Sequence, residues 1–110
     1  MQITSREVDG VLVVSVKGRL TVGSDGFFKS ETASFVEKSQ KIIMDCSEME
    51  YIDSTGLGLI VRFFKEFTDA GGKFVLAALQ PKPKLVFEIT SASKIFEIYE
   101  NVEKALEALK

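Results

Sequence analysis

The sequence predicts one α/β domain over residues 1–110, with a mixed sheet of four or five strands packed with about four helices. Three observations support this fold class. A β-branched run at 11–16 follows the turn-forming pair Asp9-Gly10, a long amphipathic segment begins after Asp53, and a short apolar run stands on each side of that segment. Such an alternation of strands and helices is typical of α/β folds.

The first two strands are predicted to form an antiparallel hairpin. Asp9-Gly10 suits the positive φ angles of a tight two-residue turn. The segment 11–16 is almost wholly apolar, as expected of a central strand that is covered on both faces. Gly18 is expected to end this strand.

A first helix is predicted from about residue 25 to residue 38. Ser24 can cap its start, and apolar side chains recur at roughly helical spacing at Phe28, Phe35 and Val36. The segment 41–46 is then expected to form a third strand, with 47–51 as a connector.

The second long helix is predicted to begin just after Asp53 and to end at Gly71-Gly72. On a helical wheel, an apolar stripe faces the sheet and charged residues lie opposite. Leu59 and Phe63 lie one turn apart and off that stripe. We therefore expect them to lack cover from the rest of the chain and to be available to a partner; the alternative is partial burial under another helix. The stripe consists of Leu57, Ile60, Val61, Phe64 and Phe67.

The apolar run Lys73–Ala77 completes a βαβ unit. It is predicted to lie parallel to the third strand, because a strand, a helix and a strand in this order connect through a right-handed crossover. Beyond it, the pattern predicts a short helix over 85–89, a short strand over 95–98 and a closing helix over 102–109.

The composition excludes several classes of function. A formal net charge of −2 offers no broad basic surface, so direct binding of nucleic acid is not expected. The absence of histidine and the single cysteine remove the Ser-His-Asp triad and the usual zinc sites, so we expect neither an enzyme nor a metal or cofactor. No segment has the roughly 20 apolar residues of a membrane span, which predicts a cytoplasmic protein with no membrane partner.

The segment 53–58, DSTGLG, carries the strongest functional signal, because it places a hydroxyl where the long helix begins. Unpaired backbone N–H groups and the positive end of the helix dipole could accommodate a phosphate on Ser54. The alternative is that Ser54 is only a helix cap, which its position alone favours. Gly56 and Gly58 are poor helix formers, so they indicate a close approach, either by a neighbouring strand or by a docked partner.

The segment 53–58, with 42–46 before it and 59–64 after it, resembles the signature of the STAS domain, specifically that of the small bacterial anti-sigma factor antagonists. The resemblance implies a protein that, when unphosphorylated, binds an anti-sigma factor that is also a serine kinase, and so frees a sigma factor. It further implies that the kinase inactivates the protein by phosphorylating Ser54 and that a separate phosphatase reverses this.

On this resemblance, the surface that binds the partner surrounds the motif. We expect it to include Asp53, Thr55, Gly56, Leu57, Leu59, Phe63, Thr21 and Ser24. Two positions depart from the family pattern. Many antagonists have an aspartate where this chain has Thr21, and a common glycine-leucine pair is replaced by Ser91-Ala92, which predicts an altered turn. Asp53 is expected to repel a phosphate on its neighbour.

Three other functions are consistent with the same residues. The first is a constitutive STAS scaffold or sensor subunit of a larger signalling assembly. The abundance of phenylalanine suggests a lipid-handling accessory domain as the second. The third is a serine hydrolase that uses Ser54 as its nucleophile.

Overall fold

A computed structural model describes residues 1–110 and confirms the predicted α/β class. It contains six strands, where four or five were predicted, and five α-helices, where about four were predicted. The strands are β1 (Gln2–Val8), β2 (Val11–Leu20), β3 (Lys41–Asp45), β4 (Met49–Ile52), β5 (Lys73–Ala77) and β6 (Ile98–Tyr99). The helices are α1 (Asp25–Thr32), α2 (Phe35–Lys38), α3 (Ser54–Asp69), α4 (Pro81–Ile89) and α5 (Val102–Ala108), with a 3-10 turn at Ala92–Lys94. None of them has both the length and the apolar character needed to cross a bilayer.

One mixed sheet contains all six strands. The predicted hairpin is confirmed, since β1 pairs antiparallel with β2 through a turn in which Asp9 and Gly10 have φ angles of 51° and 80°. The order β1-β2-β3-β5-β6 continues with parallel pairs, including the predicted βαβ unit from β3 to β5. β4 pairs in parallel with the end of β2, where Ile52 lies opposite Leu20. β2 and β4 therefore lie side by side, and their last residues are opposite each other.

The core has two parts, one on each face of the sheet. Side chains of β3 alternate between them, because successive residues of a strand point to opposite faces. Ile42 and Met44 belong to a large core of 22 buried residues that α1, α3 and α4 help to form. Ile43 belongs to a smaller core under α5, together with Ala105. The large core thus fixes α3 against the sheet.

Leu59 and Phe63 are buried, with exposures of 5% and 6%, so the expectation that they lack cover is wrong. Helix α1 supplies the cover. The ring of Phe28 packs edge-on against that of Phe63, with 6.4 Å between their centroids, and Phe67 and Phe74 contact the same ring. The helical wheel shows which side chains share a stripe but gives no information about the helix that lies over a second stripe.

Several element boundaries differ from the predictions. β2 runs through Gly18 to Leu20, because this end of the strand pairs with β4 across an irregularity at Gly18, so the expectation that Gly18 ends the strand is wrong. The helix expected over 25–38 is broken into α1 and α2, and the Thr32 hydroxyl at the break donates to the Phe28 carbonyl oxygen, a bond that competes with regular helix geometry. The connector expected over 47–51 holds most of β4, whose four residues are too few to show alternation. Helix α4 begins at Pro81, before the predicted start, and the last strand lies at Ile98–Tyr99.

The turn at Ser91 keeps a backbone conformation that favours glycine. Ser91 has a φ angle of 62°, and its N–H donates to the Glu88 carbonyl oxygen at 3.1 Å. A left-handed residue is therefore present after α4 although the family's glycine is not. The serine bears the conformational cost that a glycine would avoid.

Gly56 allows α3 to lie directly against the end of β2. A Cβ atom at this position would stand 2.0 Å from the Leu20 carbonyl oxygen, whereas a Cβ atom at Gly58 would meet nothing within 4 Å. The close approach that the glycines indicated is thus made at Gly56 by the neighbouring strand. Gly58 is exposed and open on the outer side of the helix.

We predict that Gly56→Ala and Gly58→Ala change the free energy of unfolding in opposite directions. The first should lower it by about 1–3 kcal/mol, because the helix must move away from β2. The second should raise it by up to about 1 kcal/mol, because alanine is the better helix former. Urea denaturation measures both. A Gly56→Ala variant as stable as the wild type would contradict the packing described.

Candidate functional site

Asp53 caps the start of α3. Its backbone is extended, its Oδ1 accepts a hydrogen bond from the Gly56 N–H at 2.7 Å, and its Oδ2 accepts one from the Val22 N–H at 3.0 Å. The first bond satisfies a backbone donor that the helix leaves unpaired, and the second ties the helix to the loop after β2. The interpretation of Ser54 as the helix cap is therefore wrong.

Ser54 is the first residue of α3, and its side chain is exposed. The hydroxyl makes no hydrogen bond in the structure. Thr55 is also exposed and likewise makes no side-chain hydrogen bond. Because Asp53 does the capping, the Ser54 oxygen is free and reachable by an enzyme from outside.

The loop 21–24 lies beside the helix start and is closed by its own hydrogen bonds. The Thr21 N–H donates to the Ser24 Oγ at 3.2 Å, and the Ser24 N–H donates to the Thr21 carbonyl oxygen at 3.0 Å. Ser24 precedes α1, but its hydroxyl is used within the loop and does not cap that helix. The loop therefore has a defined shape next to Ser54.

Hydrogen bonding lowers the pKa of the Asp53 carboxyl group below its ordinary value. The Gly56 N–H has the largest effect, partial desolvation opposes it, and the N–H groups of Val22 and Thr55 add to the lowering. Each of these N–H groups favours the charged carboxylate. Asp53 is consequently a fixed negative charge beside the Ser54 hydroxyl at neutral pH.

The predicted partner residues fall into two groups. Asp53, Thr55, Thr21 and Ser24 reach the surface at the start of α3. The other four, Gly56, Leu57, Leu59 and Phe63, are buried. They shape the site from beneath and offer little surface to a partner.

Two exposed apolar side chains, one in the loop bonded to Asp53 and one in the helix after that loop, did not emerge from the sequence. Val22, in the loop bonded to Asp53, is 73% exposed, and Phe27, in the first turn of α1, is 44% exposed. In the sequence, Val22 is recognisable as the one aliphatic residue of the short loop 21–24. Phe27 has no comparable signal, because it lies outside the apolar positions that recur at helical spacing. Val22 is held close to the start of α3 by the bond to Asp53, and Phe27 follows five residues later in the chain.

Comparison with known proteins identifies the family. The family model of the STAS domain matches residues 2–105. The chain belongs to the STAS domain family. The candidate anti-sigma factor antagonist BtrV of Bordetella bronchiseptica is 29% identical to this STAS domain over 100% of the chain and 96% of the relative. The names of such relatives describe regulatory proteins.

Solved STAS structures agree with this assignment. A candidate anti-sigma factor antagonist from Thermotoga maritima is 30% identical, and its crystal structure superposes with a TM-score of 0.87 over 96% of this chain and 92% of that one. The antagonist SpoIIAA has the same fold in its unphosphorylated and phosphorylated forms, with TM-scores of 0.80 and 0.74 at 17% identity. At that identity the SpoIIAA likeness extends to the fold alone.

We predict that Asp53→Asn destabilises the STAS domain at neutral pH by about 1 kcal/mol, because the charge near the helix dipole and one of two acceptor oxygens are lost. The folded-state pKa of Asp53 lies below its unfolded value of 3.8. The carboxylate's contribution is therefore present above the unfolded pKa and disappears as the pH falls through the folded pKa.

Unfolding free energies measured by urea denaturation near pH 7 and near pH 3 should thus differ between wild type and variant mainly at the higher pH. Asp69→Asn is the matched control, because it removes an exposed carboxylate from the opposite end of α3. It should not destabilise, since a negative charge is unfavourable at that end. Equal stability of Asp53→Asn and wild type near pH 7 would contradict the capping role.

Proposed function

We propose that this protein is an anti-sigma factor antagonist controlled by phosphorylation of Ser54. In its unphosphorylated form it binds an anti-sigma factor that is also a serine kinase, and the sigma factor held by that kinase is released. The kinase uses ATP to phosphorylate Ser54, and a phosphoserine phosphatase restores the binding form. The cycle would run in the cytoplasm, where transcription takes place.

The observation that carries this proposal is the free, exposed hydroxyl of Ser54 at the first position of α3. An acceptor for a kinase must be reachable from outside and must not be needed to hold the fold. Asp53 meets the second requirement, because it caps the helix in place of the serine. The relatives named anti-sigma factor antagonists support the choice of partner class.

A phosphate on Ser54 would oppose binding through charge and bulk. It adds about −1.5 to −2 charges at pH 7, next to the carboxylate of Asp53. That carboxylate already accepts the Gly56 N–H, so this backbone donor is not free to hold the phosphate. The modified side chain would remain on the surface, where it prevents close packing of the partner. The loss of affinity then requires no refolding of the domain.

We expect a pull-down from native lysate to separate three variants. Wild type and Ser54→Ala should retain an anti-sigma factor with a kinase domain, identified by peptide mass spectrometry, because neither carries a charge at this position. Ser54→Asp should lose it. After incubation with ATP, intact-mass analysis should show one added phosphate on the wild type and none on Ser54→Ala.

Thr55→Ala is the matched control, since it removes the adjacent exposed hydroxyl. It should behave as the wild type in both assays. Retention of the same kinase by Ser54→Asp would contradict the switch. Co-purification with a large assembly that contains no anti-sigma factor would favour the scaffold function instead.

A further inference from the structure

Three of the seven large apolar side chains that are exposed lie in the loop bonded to Asp53, in the first turn of the helix that follows this loop, or in the strand that leads to α3. They are Val22, Phe27 and Tyr51, with exposures of 73%, 44% and 37%. Tyr51 is covered in part by the Arg19 guanidinium, which lies 4.7 Å from its ring centroid. Val22 and Phe27 have no such cover. Their exposure costs hydration free energy that a partner could recover.

The loop that carries Val22 is joined to the start of α3 by the Asp53 carboxylate. One oxygen of that group accepts the Val22 N–H, and the other accepts the Gly56 N–H. Phe27 follows in the first turn of α1, where its neighbour Phe28 is buried in the core and Phe27 points outward. Val22 and Ser54 therefore belong to segments joined through Asp53, and Phe27 lies in the helix that continues from the first of these segments.

An interface of ordinary size that includes Ser54 would also cover the loop that carries Val22. A stable complex buries about 800 Å² on each protein, which corresponds to a disc of radius roughly 16 Å. A kinase that reaches the Ser54 oxygen must lie against this part of the domain, and the loop bonded to Asp53 falls within such a radius. The surrounding exposed residues are small or polar, such as Gly23, Asp25 and Gly58. Large apolar side chains in such a setting are the usual energetic centres of interfaces.

We infer that Val22 and Phe27 form the apolar anchor for the anti-sigma factor kinase. The inference rests on the proposed function and adds the contacts that provide affinity. The partner must offer an apolar pocket beside its nucleotide site. Binding would then depend on two separable features, an anchor that attracts and an uncharged Ser54 that permits close approach.

The test is isothermal titration of the purified anti-sigma factor kinase, once it is identified by pull-down, with unphosphorylated variants of this chain. Val22→Ala combined with Phe27→Ala should raise the dissociation constant by about tenfold or more. Ile89→Ala is a matched control, because Ile89 is also 73% exposed but lies on α4. Its dissociation constant should stay within about twofold of the wild-type value. Thermal unfolding should show that all three proteins remain folded.

The possible outcomes separate a failure of the apolar anchor from a failure of the proposed function. If wild type binds and Ser54→Asp does not, while the double variant binds as tightly as wild type, the anchor is wrong and the switch stands. An Ile89→Ala variant weakened as much as the double variant would also overturn the anchor, because the loss would not be local. If the wild type binds no anti-sigma factor, the proposed function fails and the anchor fails with it.

Discussion

The carboxylate of Asp53 is the constraint on which the site depends. Its two oxygens accept N–H groups from segments that lie 34 residues apart in the chain, Val22 and Gly56. One bond begins the helix, and the other fixes the loop after β2. Because the Asp53 carboxylate accepts both N–H groups, the side chain of Ser54 is not needed as a helix cap. Its hydroxyl therefore stays exposed and free of hydrogen bonds.

The sheet creates the conditions for this contact. β2 and β4 run parallel and end together, so the loop after one strand and the helix after the other start from neighbouring points. Gly56 then lets the helix approach the Leu20 carbonyl oxygen more closely than any residue with a Cβ atom could. The fold and the proposed switch are linked, since the same close packing that positions α3 also brings Ser54 close to the loop that carries Val22.

The sequence was sufficient for features that depend on local chemistry. Asp9-Gly10 fixed the hairpin, and Lys73–Ala77 was predicted with its observed bounds, because turn geometry and apolar runs are encoded in neighbouring residues. Features that depend on distant contacts could not be predicted. The burial of Phe63 depends on α1 lying over it, and the bond between Asp53 and the Val22 N–H depends on β2 and β4 ending side by side.

Localising the phosphate tests the central claim most directly. The chain is incubated with its anti-sigma factor kinase and ATP, and fragment-ion mass spectrometry then assigns the phosphate to a residue. The capped helix start predicts a single phosphate on Ser54, since its hydroxyl is exposed and makes no hydrogen bond. A phosphate on Thr55 or Ser24, or a chain that the kinase binds but never modifies, would contradict the account.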